Sequence, residues 1–318
     1  MATGLKVEML RQSAFSTLPK SLRHLSSCLP HPSPAPALIE VESKFHPSPY
    51  LKKVLGVSPP SRPTLASLLF GPKVCPFLSF EAQTGRLIKD QYYDFDNRLS
   101  SQGIWLRYRM SRSVTEKVTN MDWRDLPPTD DPSALARWEA KVKIGGDYHD
   151  SAFTEVGGGD AVFSMLQSRF DFDLEKLRMM AWLNTYRSSW RIANKVQPQQ
   201  HIDIPSHPIT DESFIMVIDH AEQDLSHLSD RGASHSNPFH HEVGEIELTA
   251  TLSTNGLNDE EVVEAKAKKA GEMRMRIKGF MMRYPALFPP GDEKVDGKLS
   301  AYLAWKGEDR QRGCFGEG

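Results

Sequence analysis

The chain has 318 residues, of which 39% are hydrophobic and 25% are charged, and its formal net charge is −2. This is the composition of an ordinary folded protein, long enough for one large domain or two small ones. A near-neutral charge argues against a dedicated nucleic-acid-binding protein, and the apolar stretches are too short to span a bilayer. We therefore predict no nucleic-acid partner and no membrane insertion.

Residues 1–37 differ in composition from the rest of the chain. They are basic and rich in serine, carry one acid, Glu8, and end in the proline-rich run 30–36. This composition is typical of a mitochondrial transit peptide and equally of a disordered extension. Three widely spaced cysteines without a Cys-x-x-Cys pair are typical of reduced thiols inside the cell. We expect a cytoplasmic monomer, with mitochondrial import through residues 1–37 as the alternative.

After residue 37, period-two hydrophobic segments bounded by turn residues predict β-strands. The strands are expected near 38–45, 87–95, 103–110, 137–144, 150–156, 183–192, 213–220 and 241–249. Helices are expected near 49–56, 64–70, 160–181 and from Asp259 to about Tyr284. Inserted loops are expected at 111–135, 196–212 and 221–240, and a flexible tail at 306–318. About eight strands are enough to close a barrel with a narrow lumen.

Charged residues alternate with apolar ones along these strands, so the charges share a face. The sets that share a face are Glu40, Glu42 and Lys44; Arg107 and Arg109; Arg137, Glu139, Lys141 and Lys143; Arg187 and Arg191; Glu245 and Glu247. A solvated outer face would explain any single strand. Acids and bases are sorted by strand, however, and the helices need apolar strand faces to pack on. We therefore predict that the charged faces line the barrel interior.

A barrel lined by many arginine and lysine side chains would be repulsive unless a polyanion bound there. Carboxylates facing those bases indicate a divalent cation between acid and anion. Ligand sets made of oxygen alone suit Mg²⁺ or Mn²⁺. The charge pattern thus predicts a site for a metal ion and a polyphosphate.

The run Glu40-Val41-Glu42-Ser43-Lys44 matches the Glu-x-Glu-x-Lys signature of the CYTH superfamily, the triphosphate tunnel metalloenzymes. Further matching segments follow in chain order: Gln91–Asp94, Trp105–Arg109, Trp138–Lys141, Thr154-Glu155, Arg187–Arg191, Val217–Asp219, Val243–Glu247 and Gly297–Leu303. The chain resembles this superfamily over residues 38–303, and within it the thiamine triphosphatases most. The Tyr-Tyr-Asp segment and the tryptophan before Leu-Arg-x-Arg favour that branch.

The resemblance implies an α+β fold: an eight-stranded antiparallel β-barrel, or tunnel, with helices packed outside, over residues 38–305. It also implies Mg²⁺-dependent hydrolysis of thiamine triphosphate to thiamine diphosphate and phosphate. The alternatives are an inorganic triphosphatase of the same fold, a nucleotidyl cyclase, and a non-catalytic protein that binds polyphosphate or nucleotide. The insertions at 111–135 and 221–240 could cover a tunnel mouth and change which substrate enters.

The resemblance further implies roles for individual residues. Glu40, Glu42, Asp219, Glu245 and Glu247 would bind the metal. Lys44, Arg107, Arg109, Lys141, Arg187 and Lys298 would bind phosphate, with Arg191 and Lys143 as supports. Lys44 and Tyr92 would activate water, and Trp105 would stack on the thiazolium cation of thiamine.

Other interpretations of these residues remain open. Asp219 could be a strand-end acid on the surface, and Lys298 a solvated charge. Trp105 could simply pack at the barrel mouth. Metal-bound water could also react without help from a tyrosine base.

Overall fold

The computed structural model describes residues 37–56, 78–114, 135–147, 150–170, 173–194, 214–223, 238–289 and 294–314. The expected N-terminal extension up to residue 36, the helix near 64–70 and most of the three inserted loops lie outside these residues. None of the described helices has the length and apolar character needed to cross a membrane.

The described residues form nine β-strands. These are β1 (Ala37–Phe45), β2 (Leu78–Ala82), β3 (Gly85–Asp94), β4 (Ile104–Val114), β5 (Leu135–Gly146), β6 (Asp150–Gly157), β7 (Arg178–Asn194), β8 (Phe214–Gln223) and β9 (His240–Leu252). Eight of them pair in the order β7-β3-β4-β5-β6-β1-β9-β8, and β8 returns to β7, which closes an antiparallel barrel. The eight predicted strands and the predicted fold class are confirmed.

Strand β2 was not predicted. It has five residues and pairs with the end of β7, where Leu78 lies opposite Asn194. So short a segment carries little periodicity, and its place depends on the length of β7, which extends beyond its pairing with β3.

The described residues also form four α-helices, namely α1 (Pro49–Leu55), α2 (Gly159–Arg169), α3 (Asp259–Arg283) and α4 (Lys298–Cys314). Helix α3 begins with a capping box in which Asn258 and Glu261 satisfy each other's backbone N–H groups. Its buried residues, among them Met273 and Ile277, join the outward-facing apolar residues of β1 and β9 in one hydrophobic core. The apolar strand faces therefore point outward, as predicted, and leave the charged faces to the interior.

One prediction about a helix end was wrong. The helix expected over 160–181 ends at Arg169, because Phe170 is extended and its ring packs edge-on against Phe95 at 5.7 Å. Strand β7 then begins at Arg178. Residues 306–314, which we expected in a flexible tail, continue helix α4.

Helix α4 lies across one end of the barrel and not on its outer wall. Leu299 and Tyr302 are buried there against Tyr92 and Leu183 from strands β3 and β7, together with Phe239. We refer to this set (Tyr92, Leu183, Phe239, Leu299 and Tyr302) as the end cluster. Burial of apolar side chains spaced three residues apart explains why this segment is helical.

Candidate active site

Charged side chains line the interior of the barrel. The carboxylates are Glu40, Glu42, Asp90, Glu139, Glu155, Asp219, Glu245 and Glu247, and the bases are Lys44, Arg86, Arg107, Arg109, Arg137, Lys141, Arg187 and Lys298. Many of them are deeply buried; Glu40, Glu42 and Arg107 are each 6% exposed. The prediction that the charged strand faces point inward is confirmed.

Arg187 and Asp219 form a two-point ion pair between β7 and β8. The guanidinium donates from Nε to Oδ1 at 2.7 Å and from Nη2 to Oδ2 at 2.8 Å. Although burial alone would raise the pKa of Asp219, Arg187 and Lys298 hold that pKa well below its usual value. Asp219 is 1% exposed, which rules out the surface-acid interpretation. Since both its oxygens accept from Arg187, Asp219 orients that arginine.

The other side of Arg187 faces two glutamates of β9. Its Nη1 lies 3.4 Å from Glu247 Oε1, and its Nη2 lies 3.6 Å from Glu245 Oε2. Burial would lower the pKa of Arg187, but Asp219, Glu247 and Glu245 raise it well above its usual value. Arg187 is therefore a permanent positive charge at the centre of three carboxylates.

Lys298 is the first residue of α4, and its side chain reaches into the barrel. The Nζ lies 3.4 Å from Asp90 Oδ2 and 3.4 Å from Asp219 Oδ2. Its side chain is 11% exposed, so it is not a solvated surface charge. A lysine at a helix N-terminus opposes the helix dipole, and the two buried carboxylates compensate for this.

Glu40 and Glu42 of β1 share the ammonium group of Lys141. Its Nζ lies 3.0 Å from Glu40 Oε1 and 3.2 Å from Glu42 Oε2, and Lys44 also pairs with Glu42. Burial raises the pKa of Glu40 well above its usual value, and only Lys141 opposes this. Burial acts on Glu42 too, but Lys141 and Lys44 lower its pKa to about 2. Two neighbouring glutamates thus differ strongly in their affinity for a proton.

Glutamates of β1 and β9 also crowd one another. Glu42 lies directly opposite Glu247 in register, and Lys44 lies opposite Glu245. Burial, together with the charges of Glu245 and Glu42, raises the pKa of Glu247 to about 7 against the opposing effect of Arg187. Crowded carboxylates of this kind have the oxygen chemistry that suits Mg²⁺.

The positions of these carboxylates bear on whether they could hold a metal ion. Within the described residues, no three acidic, histidine or cysteine side chains converge closely enough to hold one. In this arrangement Lys141 holds Glu40 and Glu42, while Arg187 holds Asp219 and lies close to Glu245 and Glu247. The ligand chemistry fits a divalent cation, and the side chains would have to leave their bases to bind it.

Tyr92 is buried at the inner edge of the end cluster. Its hydroxyl donates to Asp90 Oδ2 over 3.4 Å, and the residue lies opposite Arg107 in register. Lys44 hydrogen-bonds to Glu42 in the described part of the chain, and no hydrogen bond there joins it to Tyr92. The pairing of Lys44 with Tyr92 therefore stays a prediction. Tyr93 faces the other way and packs on Trp138 at 5.1 Å.

Trp105 lies beside the end cluster. It is partly buried, packs against that cluster, and lies opposite Lys141 in register. This position agrees with the interpretation of Trp105 as a packing residue at a barrel end. It also leaves part of the side chain accessible near Lys141.

Several site residues were missed, or were given no role, in the sequence analysis. Asp90 shares a face with Tyr92, two residues away, so the strand periodicity could have identified it. Glu139 accepts from Arg107 Nε at 2.8 Å and from Arg137 Nε at 2.6 Å. Burial would raise the pKa of Glu139, but Arg107 and Arg109 lower it to about 2.

Two further site residues were given no role from the sequence. Arg86, on β3, reaches the cavity described next. Glu155, on β6, lies 3.7 Å from Arg107 and 3.8 Å from Lys141. Of the expected supports, Arg191 is exposed and Lys143 is partly buried where β5 bulges against β6.

The barrel end away from α4 contains a cavity of about 210 Å³. Four arginines and two glutamates line it, alongside serine and aliphatic side chains: Arg86, Arg109, Arg137, Arg187, Glu139, Glu247, Ser111, Ser189, Ile88, Ile215 and Val217. Arginine forks are well suited to bidentate contacts with phosphate oxygens. The cavity therefore has a lining rich in arginine that continues into the paired interior.

Barrel closure, antiparallel pairing and the lining of opposed acids and bases together define a class of protein. The chain folds as a closed eight-stranded antiparallel barrel with a charged interior, which is the architecture that the sequence resemblance implied.

Comparison with solved structures gave distant similarities. A candidate adenylyl cyclase from Hippeastrum, described as having dominant triphosphatase activity, aligns with 84% of this chain and 96% of its own at 11% identity and a TM-score of 0.40. A protein from Pyrococcus horikoshii OT3 aligns with 84% of this chain and 99% of its own at 15% identity and a TM-score of 0.35. A candidate adenylate cyclase from Bacillus halodurans aligns with 80% and 95% at 14% identity and a TM-score of 0.32. No protein-family model and no curated protein matches the chain.

Proposed function

We propose that this protein hydrolyses a phosphoanhydride bond of a triphosphate-bearing small molecule, with thiamine triphosphate as the first substrate to test. The observation that carries the proposal is the buried set of paired acids and bases inside the barrel, above all Arg187 and the three carboxylates around it. Buried ion pairs are a weak source of stability, and replacing them with apolar residues is often neutral or favourable. Such a costly interior is better explained by a ligand that uses both kinds of charge.

The bases would bind the phosphates of that ligand. Arg107, Arg109 and Arg187 offer planar forks for bidentate contacts, while Lys44, Lys141 and Lys298 supply mobile point charges. Phosphoryl transfer depends mainly on positioning and on neutralising charge around the transferred group. Two-point pairing with Asp90 and Asp219 fixes two of these guanidinium groups before substrate arrives. The proposed substrate would therefore meet preoriented donors.

The acids would hold a divalent cation, with Mg²⁺ first and Mn²⁺ as the alternative. Glu40, Glu42, Glu245 and Glu247 have the required oxygen chemistry and already crowd one another in the barrel. Asp219 contributes through Arg187, which occupies both its oxygens. When bound, such a cation would neutralise charge on the phosphates and on the departing oxygen.

A residue that accepts the proton of the attacking water is part of the same proposal. Tyr92 is the candidate from the sequence, and it lies beside Asp90 and opposite Arg107. Arg107, opposite Tyr92 in register, would then take the place that the resemblance gave to Lys44. Tyr92→Phe keeps the packing of the end cluster and removes only the hydroxyl.

An inorganic triphosphatase is the second candidate, and one observation favours it. Trp105 packs against the end cluster, which leaves less of its indole face for the thiazolium ring of thiamine. Stacking of a cation on a tryptophan contributes about 0.5 to 2 kcal/mol. If Trp105 contributes no such energy, the site recognises the triphosphate group alone.

The first experiment measures phosphate release by purified protein in Mg²⁺ with thiamine triphosphate, inorganic triphosphate and ATP, and assays cyclic nucleotide from ATP in parallel. Preference for thiamine triphosphate, reduced about tenfold in Trp105→Leu, would support the first candidate. Preference for inorganic triphosphate, with little change in that variant, would support the second. Cyclic nucleotide production would identify a cyclase, and no reaction with any of the three compounds would contradict hydrolysis altogether.

A further inference from the structure

The cavity at the barrel end away from α4, which we call the open end, contains two pairs of arginines. In each pair the two residues face each other across neighbouring strands. Arg86 of β3 lies directly opposite Arg187 of β7, and Arg109 of β4 lies directly opposite Arg137 of β5. All four line the same cavity. Like charges directly opposite each other on one sheet face destabilise the pairing. Two such pairs side by side are an arrangement that a bound anion would relieve.

The four arginines differ in how they are neutralised. Arg109 and Arg187 are held by two-point pairs with Asp90 and Asp219. Arg137 pairs with Glu139, although more than half of its side chain is exposed. Arg86 donates from Nε to Ser111 Oγ at 3.0 Å, and no described carboxylate forms an ion pair with it. Arg86 is thus the arginine with the least compensated charge.

The electrostatic surroundings of Arg86 agree with this. Partial burial and the positive charges of Arg109, Arg187 and Arg137 lower the pKa of Arg86, and Glu139 opposes them. An anion placed between these guanidinium groups would reverse that effect. The cavity therefore has space and uncompensated positive charge in the same place.

Arg86 lies beside Arg187, one of the proposed triphosphate-binding bases, and farther along β3 from the end cluster than Asp90. It precedes Asp90 by four residues on β3, which corresponds to about 13 Å along an extended strand. Arg137 precedes Lys141 by the same number of residues on β5. The basic lining thus continues from the paired interior toward the open end.

We infer, on the basis of the proposed function, that Arg86 and Arg137 form an outer subsite. This subsite would bind one phosphate group in addition to the three of a triphosphate. That group is either the fourth phosphate of a longer inorganic polyphosphate or a separate orthophosphate ion. The guanidinium forks provide the recognition, with the Ser111 hydroxyl holding Arg86 in place. The chain would then prefer tetrapolyphosphate to tripolyphosphate as a ligand.

The test measures equilibrium binding of tripolyphosphate and tetrapolyphosphate by calorimetry in EDTA, where no metal-dependent turnover occurs. Variants Arg86→Gln and Arg137→Gln are compared with wild type and with Arg283→Gln, which removes the same charge from the exposed end of α3. We expect Arg86→Gln to weaken tetrapolyphosphate binding about tenfold and tripolyphosphate binding no more than about threefold. Tripolyphosphate binding is repeated with orthophosphate present. If orthophosphate tightens tripolyphosphate binding to wild type and does not do so in Arg86→Gln, a separate ion is the occupant.

Equal weakening of both polyphosphates in Arg86→Gln would overturn the subsite, because it would show general attraction of anions. Unchanged binding of both, with no effect of orthophosphate, would overturn it as well. Tripolyphosphate binding to wild-type protein tests the proposed function separately. If wild type binds no tripolyphosphate, either in EDTA or with Mg²⁺ added, the proposed function fails and the subsite fails with it.

Discussion

Arg109 and Asp90 lie directly opposite each other on β4 and β3 and form a two-point ion pair, Nε to Oδ1 at 2.7 Å and Nη2 to Oδ2 at 2.8 Å. The carboxylate is fully buried and also lies 3.4 Å from the ammonium of Lys298. One aspartate therefore links a strand pair of the barrel to the helix that covers its end. The proposed phosphate-binding groups Arg109 and Lys298 both depend on it.

Replacement of Asp90 by asparagine should destabilise the protein. Burial alone would raise the pKa of Asp90, but Arg109 and Lys298 hold it well below its usual value. Without this negative charge, Arg109 and Lys298 stay buried and lose a counterion. The expected cost is about 3 kcal/mol in the free energy of unfolding. Urea denaturation at pH 7 measures this. Glu264→Gln, an exposed change on α3, is the control, and equal stabilities of the two variants would contradict the role of Asp90.

Glu247 should make the metal-free protein less stable as pH rises through its folded pKa. Burial raises that pKa from its usual value of 4.5 to about 7. A carboxyl group with a raised folded pKa contributes stability that is fully present below pH 4.5 and is lost as pH rises to about 7. Glu247→Gln should therefore gain up to ~3 kcal/mol over wild type between pH 5 and pH 8. Denaturant titrations in EDTA at the two pH values test this, and parallel curves would refute it.

Glu245→Gln should abolish Mg²⁺-dependent phosphate release while the fold stays intact. The change removes a proposed metal-binding oxygen and keeps the shape of the side chain. We expect kcat/KM to fall by about a hundredfold or more, in the range seen for loss of key electrostatic groups. Circular dichroism and thermal melting check the fold.

Glu242→Gln is the matched control for that experiment. Glu242 lies on the same strand, β9, and its partly exposed side chain pairs with Lys52 at 2.7 Å. Surface pairs of this kind contribute about 0 to 1 kcal/mol, so this variant should retain activity. Wild-type turnover in Glu245→Gln would refute the assignment of that residue.

Gly244→Ala should destabilise the barrel. A Cβ at this position would lie 2.4 Å from ring atoms of Phe45, which is buried and packs edge-on against Phe288 at 5.1 Å. The ring cannot move without disturbing that packing, so we expect a loss of about 1 to 3 kcal/mol. Gly271→Ala in α3 meets no atom within 4 Å and should gain about 1 kcal/mol. Thermal denaturation of Gly244→Ala and Gly271→Ala compares their melting temperatures. Equal shifts in the two variants would contradict the clash with Phe45.

The sequence predicted the barrel well because its signal is local. Glu40, Glu42 and Lys44 alternate with apolar residues within a single strand, so inspection of one segment reveals both faces. Sorting of the signs between strands then indicated which face points inward. The pairing of β8 with β7 that closes the barrel is not local. The number of strands and the family resemblance led us to predict that closure.

The partners of the site residues could not be predicted in the same way. Lys141 reaches Glu40 across β6, and Lys298 reaches Asp90 and Asp219 from a helix that we had not predicted. These contacts join residues far apart in the chain, and they depend on strand register and on where α4 meets the barrel. Periodicity gives the face of a residue, and only the assembled barrel gives its neighbour.

The mutual pairing of Lys141 with Glu40 and Glu42, and of Arg187 with three acids, has a thermodynamic consequence. A cation that bound the acids alone would leave the bases buried without counterions, and an anion that bound the bases alone would leave the acids in the same state. When the cation and the anion both bind, the acids exchange their bases for the cation and the bases exchange their acids for the anion. Metal and triphosphate should therefore bind with positive heterotropic coupling, each raising the affinity for the other by the same factor.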